Sequence, residues 1–239
     1  MTSTNTTTQL LLPGQAAAPE GPIDLTPMWL MHHAFRRDLA AFAAAAQTTP
    51  LDDRATWQAL SQRWQRFANV LHHHHSGEDT YIWPVLLAAV DEAGDPAGRE
   101  TLEAMEAEHA QIDPLLERCA RGFAALGRRG DAAARAELAE CVATTRERLA
   151  AHLGHEERDA MALVQRLLTP EAWHALDKQI GSGYPVREVP FTLAWVLHGL
   201  PADALPRAKA FLGTPAYTLA TVVFRRGFER GERAAFRYA

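Results

Sequence analysis

Two short phrases in this chain each place a histidine four residues before a glutamate, and they constrain the fold more than any other feature. The first, HHHHSGEDTYIWPVL, contains His74 and Glu78, and the second, HLGHEERDAMALV, contains His152 and Glu156. In an α-helix, residues four apart lie on the same face. A neutral imidazole and a carboxylate on one face are both ligands for a transition metal. The repeat therefore predicts two helices that face each other across a metal site.

Apolar residues recur at steps of three and four along four long stretches, which is typical of amphipathic helices. We expect helices from about residue 26 to 47, from about 53 to a bend or end at Pro84, after a loop at 91–100, and from about 131 to 168. His32 and His109 lie in the apolar stripes of the first and third helices. Four long helices with short loops predict an all-α, up-and-down four-helix bundle.

The predicted bundle occupies residues 23–168 and is flanked by two different segments. Residues 1–22 are rich in Thr, Ala, Pro and Gly, so we expect a flexible leader. Residues 169–239 contain short apolar segments separated by Pro and Gly. We expect this C-terminal extension to form additional short helices that pack on the bundle or make the contact of a homodimer.

Composition excludes several classes of function. The chain has 24 basic and 29 acidic residues and a net charge of −5, so it has no nucleic-acid footprint. No apolar run approaches the 18 or so residues that a membrane span needs, so we expect no membrane partner. Cys119 and Cys141 have no metal-binding spacing and are too few for a disulfide framework. Such cysteine use predicts a reducing, cytoplasmic location.

Six side chains in the apolar register of four separate helices form the predicted metal site: His32, His74, Glu78, His109, His152 and Glu156. One core histidine is more often structural, and one His-x-x-x-Glu is common on a solvated face. The prediction therefore depends on the joint pattern. Two buried carboxylates among histidines are costly unless cations compensate them. A pair of metal ions with bridging glutamates is the simplest arrangement, and a donor set without thiolate suits iron or manganese.

The pattern H…HxxxE…H…HxxxE resembles the hemerythrin-like (HHE cation-binding) family over residues 24–168. MHHAFRRDL is similar to the family's first-helix motif, HHSGEDTYIWPVL to the second, EHAQID to the third and HLGHEERDAM to the fourth. The resemblance implies a non-haem centre of two iron ions, with manganese or zinc also possible in purified protein. It implies that Glu78 and Glu156 bridge the irons and that four histidines are terminal ligands: His32, His74, His109 and His152.

One position departs from the family pattern. Hemerythrins carry a further histidine one turn after the third-helix ligand, and this chain has Asp113 there. Asp113 could be a ligand, an iron position could stay open to water, or a nearby side chain such as His155 could contribute. Glu157 is likewise an alternative to Glu156. The missing histidine disfavours reversible oxygen carriage and favours peroxide chemistry, nitric oxide chemistry or sensing.

The resemblance implies a protein that binds or reacts with O2, hydrogen peroxide or NO, which would include an oxidoreductase. Two alternatives stay open. One is a sensor or regulator of iron or oxygen that acts through its C-terminal helices. The other is a structural or iron-storage bundle without turnover. The sequence assigns no catalytic residue.

Overall fold

Four helical rods form the body of the protein. The structure, a computed structural model, describes residues 6–183 and 185–239. The first rod is α1 (Thr26–Thr48) and the third is α4 (Pro96–Arg128). The second rod consists of α2 (Arg54–Gly77), a π-helical turn (Glu78–Ile82) and α3 (Trp83–Glu92). The fourth consists of α5 (Ala132–His155), a second π-helical turn (Glu156–Ala160) and α6 (Met161–Leu167).

The rods pack in a closed ring. α4 contacts α2 and α5, and α1 contacts α5 and α2. Short loops at 49–53, 93–95 and 129–131 join consecutive rods, so each rod lies beside the next one along the chain. This arrangement confirms the predicted all-α, up-and-down four-helix bundle.

Aspartates cap three of the long helices. The side chain of Asp53 accepts a hydrogen bond from the backbone N–H of Thr56, Asp95 accepts one from Gly98, and Asp131 accepts one from Ala134. The loop predicted at 91–100 is shorter in the structure, because Asp95 and the proline after it start α4 early.

Both π-helical turns begin at a glutamate of the two repeated phrases. The first turn starts at Glu78 and ends two residues before Pro84. Proline has no N–H, so the regular hydrogen-bond ladder cannot continue through it. The second rod therefore changes its helical pitch here and continues as α3, where the sequence predicts a bend or an end. π-helical turns are rare in proteins, and many of those that occur are found at functional sites.

Residues 6–22 lie along the bundle, although the sequence predicts a flexible leader. The side chain of Leu12 is buried, and residues 7 and 21 form an antiparallel bridge. The backbone N–H of Ala16 donates to Glu157 Oε2 at 2.7 Å. One buried leucine and hydrogen bonds to the fourth rod give this segment a fixed path. Residues 1–5 of the predicted leader lie outside the described residues.

The C-terminal extension is helical. It contains α7 (Pro170–Ser182), a 3₁₀ turn (Val186–Glu188), α8 (Val189–Leu197), α9 (Leu205–Thr218), a π-helical turn (Leu219–Phe224) and α10 (Arg225–Ala235). α7 packs on the first π-helical turn, α8 and α9 pack on α1, and α10 packs on α2. Whether these helices also form a dimer contact stays a prediction. Among the described residues, no helix combines the length and apolar character that crossing a membrane would require.

A buried network of charges joins the extension to the bundle. Asp38 of α1 is 1% exposed and accepts hydrogen bonds from Arg63 Nη2 at 2.5 Å and Trp195 Nε1 at 2.7 Å. Arg63 also donates through Nε to Glu232 Oε1 of α10. Burial by itself would raise the pKa of Asp38, but Arg63 and Arg37 outweigh it, and the pKa is lowered. The network therefore connects α1, α2, α8 and α10 through one ionised carboxylate.

We expect Asp38→Asn to lower the free energy of unfolding at neutral pH by about 3–5 kcal/mol, because it removes one of the two carboxylates that pair with the buried Arg63. Urea unfolding followed by circular dichroism measures the change. A carboxyl group with a depressed pKa adds stability above its ordinary pKa and loses it as the pH falls through the folded pKa. The difference between the two proteins should therefore shrink in acid.

The matched control is Glu103→Gln, since Glu103 forms an exposed ion pair with Arg99. This variant should lose at most about 0.5 kcal/mol. Equal losses in both variants would contradict the structural role of Asp38.

Candidate metal centre

Seven buried side chains from the four rods meet between the helices. None of them is more than 6% exposed. The helices α1, α4 and α5 each supply one histidine: His32, His109 and His152. α2 supplies two, His74 and His75. The π-helical turns of the second and fourth rods each supply their first residue, Glu78 and Glu156.

The side chains form two groups. The first contains His32, His74, Glu78 and Glu156, the second contains His75, His109 and His152, and within each group the ligand atoms lie within 4.8 Å of one another. The Nε2 atoms of His32 and His74 are 3.3 Å apart, and those of His109 and His152 are 3.1 Å apart. Two nitrogens bound at right angles to one metal ion, each at about 2.1 Å, are about 3.0 Å apart. Both pairs therefore have the spacing of ligands that share an ion.

The two glutamates connect the groups. Glu78 Oε1 lies 3.0 Å from His74 Nε2 in the first group, and its Oε2 lies 3.5 Å from His109 Nε2 in the second. Glu156 Oε2 lies 3.2 Å from His32 Nε2 and 3.7 Å from His152 Nε2. Each carboxylate thus reaches a histidine of both groups.

Several buried polar atoms in this cluster lack a regular hydrogen bond. Within the described residues, this holds for both carboxylate oxygens of Glu78, both of Glu156 and both ring nitrogens of His75. Three of the four oxygens lie at ion-pair distance from an imidazole, but none of the four accepts a hydrogen bond of good geometry. A buried polar group without a partner is costly, and a buried carboxylate is costlier still. These atoms are satisfied when they bind cations, so the residues present fit a metal site.

The pKa values of neighbouring side chains in the cluster are shifted in opposite directions. Burial alone would lower the pKa of His32, but Glu156 and Glu157 beside it raise the pKa to about 9. Burial and the charge of His32 lower the pKa of His74 to about 3. Burial and the neighbouring Glu156 raise the pKa of Glu78 well above its usual value. His74 is therefore neutral and ready to bind a metal, whereas metal binding at His32 is coupled to the release of a proton.

Three carboxylates hold the outer nitrogens of the cluster histidines. His32 Nδ1 lies 2.9 Å from Glu157 Oε1. His109 Nδ1 lies 2.8 Å from Asp79 Oδ1, and His152 Nδ1 lies 2.8 Å from Glu108 Oε2. An ionised carboxylate only accepts, so each Nδ1–H donates and each Nε2 is left facing the cluster. This arrangement is typical of histidines that bind metals.

Glu157 is the most firmly held of these carboxylates. Arg36, one turn after His32 in α1, donates to its two oxygens at 2.6 and 2.9 Å, and the N–H of Ala16 donates as well. Burial would raise the pKa of Glu157, but His32 and Arg36 lower it. The N-terminal segment and α1 therefore fix the carboxylate that orients His32.

The structure brings all six side chains of the predicted site into the two groups but leaves out the three alternatives. Asp113 lies partly exposed, with its Oδ2 3.9 Å from His72 Nδ1. His155 Nδ1 bonds to Glu108 Oε1 at 2.9 Å. Glu157 bonds to the outer nitrogen of His32. All three alternatives therefore lie outside both groups, and whether any of them binds a metal stays a prediction.

His75 is the member of the two groups that sequence reasoning missed. Its ring stacks on that of His109, with centroids 3.9 Å apart and planes at 10°. In a run of four histidines, the spacing to Glu78 selects His74. However, His75 lies four residues after the buried Leu71, and this second helical spacing is the signal that could have found it. The second group thus gains its third imidazole from α2, where the family pattern takes it from the third helix.

The fold and the cluster together define a class of protein: a four-helix bundle with a buried histidine–carboxylate cluster suited to cations. Residues 25–164 match the family described as Hemerythrin HHE cation binding domain. This match covers more than half of the 239 residues, and the chain belongs to that family. No curated protein and no solved structure matches the chain.

We expect Glu108→Gln to lower metal affinity by about 10- to 100-fold, because His152 loses the charged acceptor of its Nδ1–H. Competition with a chelator of known affinity measures the change. Glu106→Gln, at an exposed position of the same helix, is the matched control and should bind metal like the wild type. If the two variants retained metal equally well, Glu108 would have no role in orienting the ligand.

Proposed function

We propose that this protein holds two iron ions in the cluster and there binds or reacts with a small ligand: O2, hydrogen peroxide or NO. One observation carries the proposal. Glu78 and Glu156 are buried without regular hydrogen bonds, and each reaches histidines of both groups. Two carboxylates placed in this way are suited to bridge two cations, each with its own imidazoles.

The two groups assign ligands to two positions. His32 and His74 would hold the first ion, and His75, His109 and His152 would hold the second. Glu78 and Glu156 would contribute to both. With two imidazoles against three, the first position has the smaller ligand set and more room for an added ligand.

The donor chemistry favours iron. Imidazole and carboxylate without thiolate suit iron and manganese, whereas the affinity order of divalent metals allows zinc to compete during purification. Membership of the family supports cation binding in general. Iron also supplies electrons to a small oxidising ligand, and this is the chemistry the bound metal would contribute.

The protein contributes binding, orientation and the exclusion of water. Glu157, Asp79 and Glu108 keep the ligand nitrogens directed at the cluster. Aromatic rings surround the first position: the centroid of Phe35 lies 5.2 Å from that of His74, and the centroid of Trp29 lies 6.4 Å from that of His32. Apolar rings on this side limit solvent access to a metal site.

We also propose that the protein works in the cytoplasm. Cys119 and Cys141 are free and buried, with Sγ atoms 3.1 Å apart. Two adjacent cysteines without a disulfide between them are compatible with a reducing compartment.

The test of the proposed function is metal analysis of protein purified without a tag, combined with visible spectra. We expect two irons per chain after anaerobic loading with ferrous iron. Addition of O2, hydrogen peroxide or NO should then produce new ligand-to-iron charge-transfer bands. A centre that binds iron but responds to none of the three ligands would refute the reactive function and leave a structural one.

The two-ion assignment makes a separate prediction for His75→Ala. This variant should retain the first iron and lose about tenfold or more in affinity for the second, because one of three imidazoles at that position is gone. Iron titration followed by visible absorption measures the two steps. His72→Ala, at an exposed position of the same run, is the control and should bind both ions. Loss of both irons in His75→Ala, or of neither, would contradict the assignment.

A further inference from the structure

A cavity of about 280 Å³ lies between the bundle and the C-terminal extension. On one side its wall is formed by α1 and the first π-helical turn, and on the other by α7, α8 and α9. The three extension helices follow residue 164, where the family match ends. One wall of the cavity is therefore built from a part of the chain that the family match does not cover.

The lining is predominantly apolar. It includes residues of α1, α7 and α8: Met28, Met31, Trp173, Ile180, Leu193 and Val196. Thioether, indole and aliphatic groups offer dispersion contacts and little hydrogen bonding. Binding sites for small molecules have this composition, with a few polar groups among apolar ones.

The cavity reaches the candidate metal centre. His74 and Glu78, both members of the first group, are among the residues that line it. Phe211 and Val189 also line it and are 42% and 37% exposed, so the cavity meets solvent near them. A molecule that enters between the extension helices would therefore have its inner end beside the first metal position.

The volume is larger than a diatomic ligand requires. A water molecule occupies about 30 Å³ of liquid, and an apolar cavity of about 150 Å³ holds benzene. O2, NO and peroxide are close to water in size. At 280 Å³, the cavity has room for an organic molecule larger than benzene.

The charges that line the cavity disfavour anions. The ionisable side chains along it are His74, Glu78 and Asp177, and no lysine or arginine among the described residues lines it. Burial raises the pKa of Asp177, which favours its uncharged form. Without a bound metal ion, a carboxylate or phosphate ligand would find no lysine or arginine in these walls to pair with, whereas a neutral molecule needs none.

We propose that this cavity binds a neutral, predominantly apolar organic molecule larger than benzene, with one end against His74 and Glu78. The extension is then the wall of a binding site as well as a cover for the bundle. Binding to the cavity does not depend on a metal. Only the position of the bound molecule beside iron rests on the proposed function.

The experiment uses the full chain and N-phenyl-1-naphthylamine, a neutral apolar dye whose fluorescence rises when it leaves water. The dye is titrated into metal-free and iron-loaded protein, and the iron content of each sample is measured in parallel. We expect saturable binding of one dye per chain in both samples. In the metal-free protein, the anionic dye 1-anilinonaphthalene-8-sulfonate should bind at least about tenfold more weakly.

Two variants locate the bound dye. Leu193→Trp fills the cavity with an indole ring and should weaken dye binding about tenfold. Gly181→Phe should do the same, and it is compatible with folding because a Cβ at Gly181 meets no atom within 4 Å. The matched controls are Leu219→Trp, at an exposed residue outside the cavity, and Gly231→Phe, at a helical glycine with similar free space. Both controls should bind the dye like the wild type.

The outcomes separate this proposal from the proposed function. Saturable dye binding that both cavity variants weaken supports the cavity as a ligand site, whether or not the protein holds iron. Iron-loaded protein that binds no dye would overturn it and leave a passage for gases only. Dye binding that the cavity variants leave unchanged would also overturn it, because the dye would then lie elsewhere.

Discussion

Two carboxylates, Glu78 and Glu156, lie between the rods of the bundle among imidazoles and without regular hydrogen bonds. An apolar core cannot hold such groups at low cost, and the free energy of the fold therefore depends on what compensates them. Imidazoles from all four rods provide part of that compensation, and bound cations complete it. Metal binding to a site assembled from four helices also contributes to folding, because the unfolded chain has no such site. The bundle and its centre are thus one thermodynamic unit.

The segments outside the bundle are attached to it through two buried carboxylates, Glu157 of the fourth rod and Asp38 of α1. Glu157 connects the N-terminal segment to α1 through Ala16 and Arg36, and it also orients His32. Asp38, two residues after Arg36 in α1, connects the extension through Arg63 and Trp195. The first connection serves the metal centre directly. The second holds α8 and α10 against the bundle, and α8 forms part of the wall of the apolar cavity. A single helix therefore positions the centre and the extension together.

Much of this structure could be predicted from the sequence, because helical periodicity is a local property. The three- and four-residue spacing of Phe35, Leu39 and Phe42 predicts α1, and the same spacing places His32, His109 and the two His/Glu pairs on inner faces. The prediction is incomplete where contacts between neighbouring helices decide which side chains join the site. His75 joins the second group because the ring of His109 on α4 lies against it. Glu157, Asp79 and Glu108 orient ligands through contacts between rods that periodicity does not report.

The N-terminal segment shows the same difference. Its composition is typical of a flexible leader, yet residues 6–22 follow a fixed path. The backbone of Ala16 bonds to Glu157 of the fourth rod, and Gln165 of the same rod bonds to Ile23 directly after the segment. By itself, the sequence determined the helices, the inward register of six side chains and the donor chemistry of the site, since these follow from residue type and spacing. Only the tertiary structure decided the third imidazole of the second group, the carboxylates behind the ligands and the apolar cavity. Each of these arises from atoms distant in the chain that meet only when the rods pack.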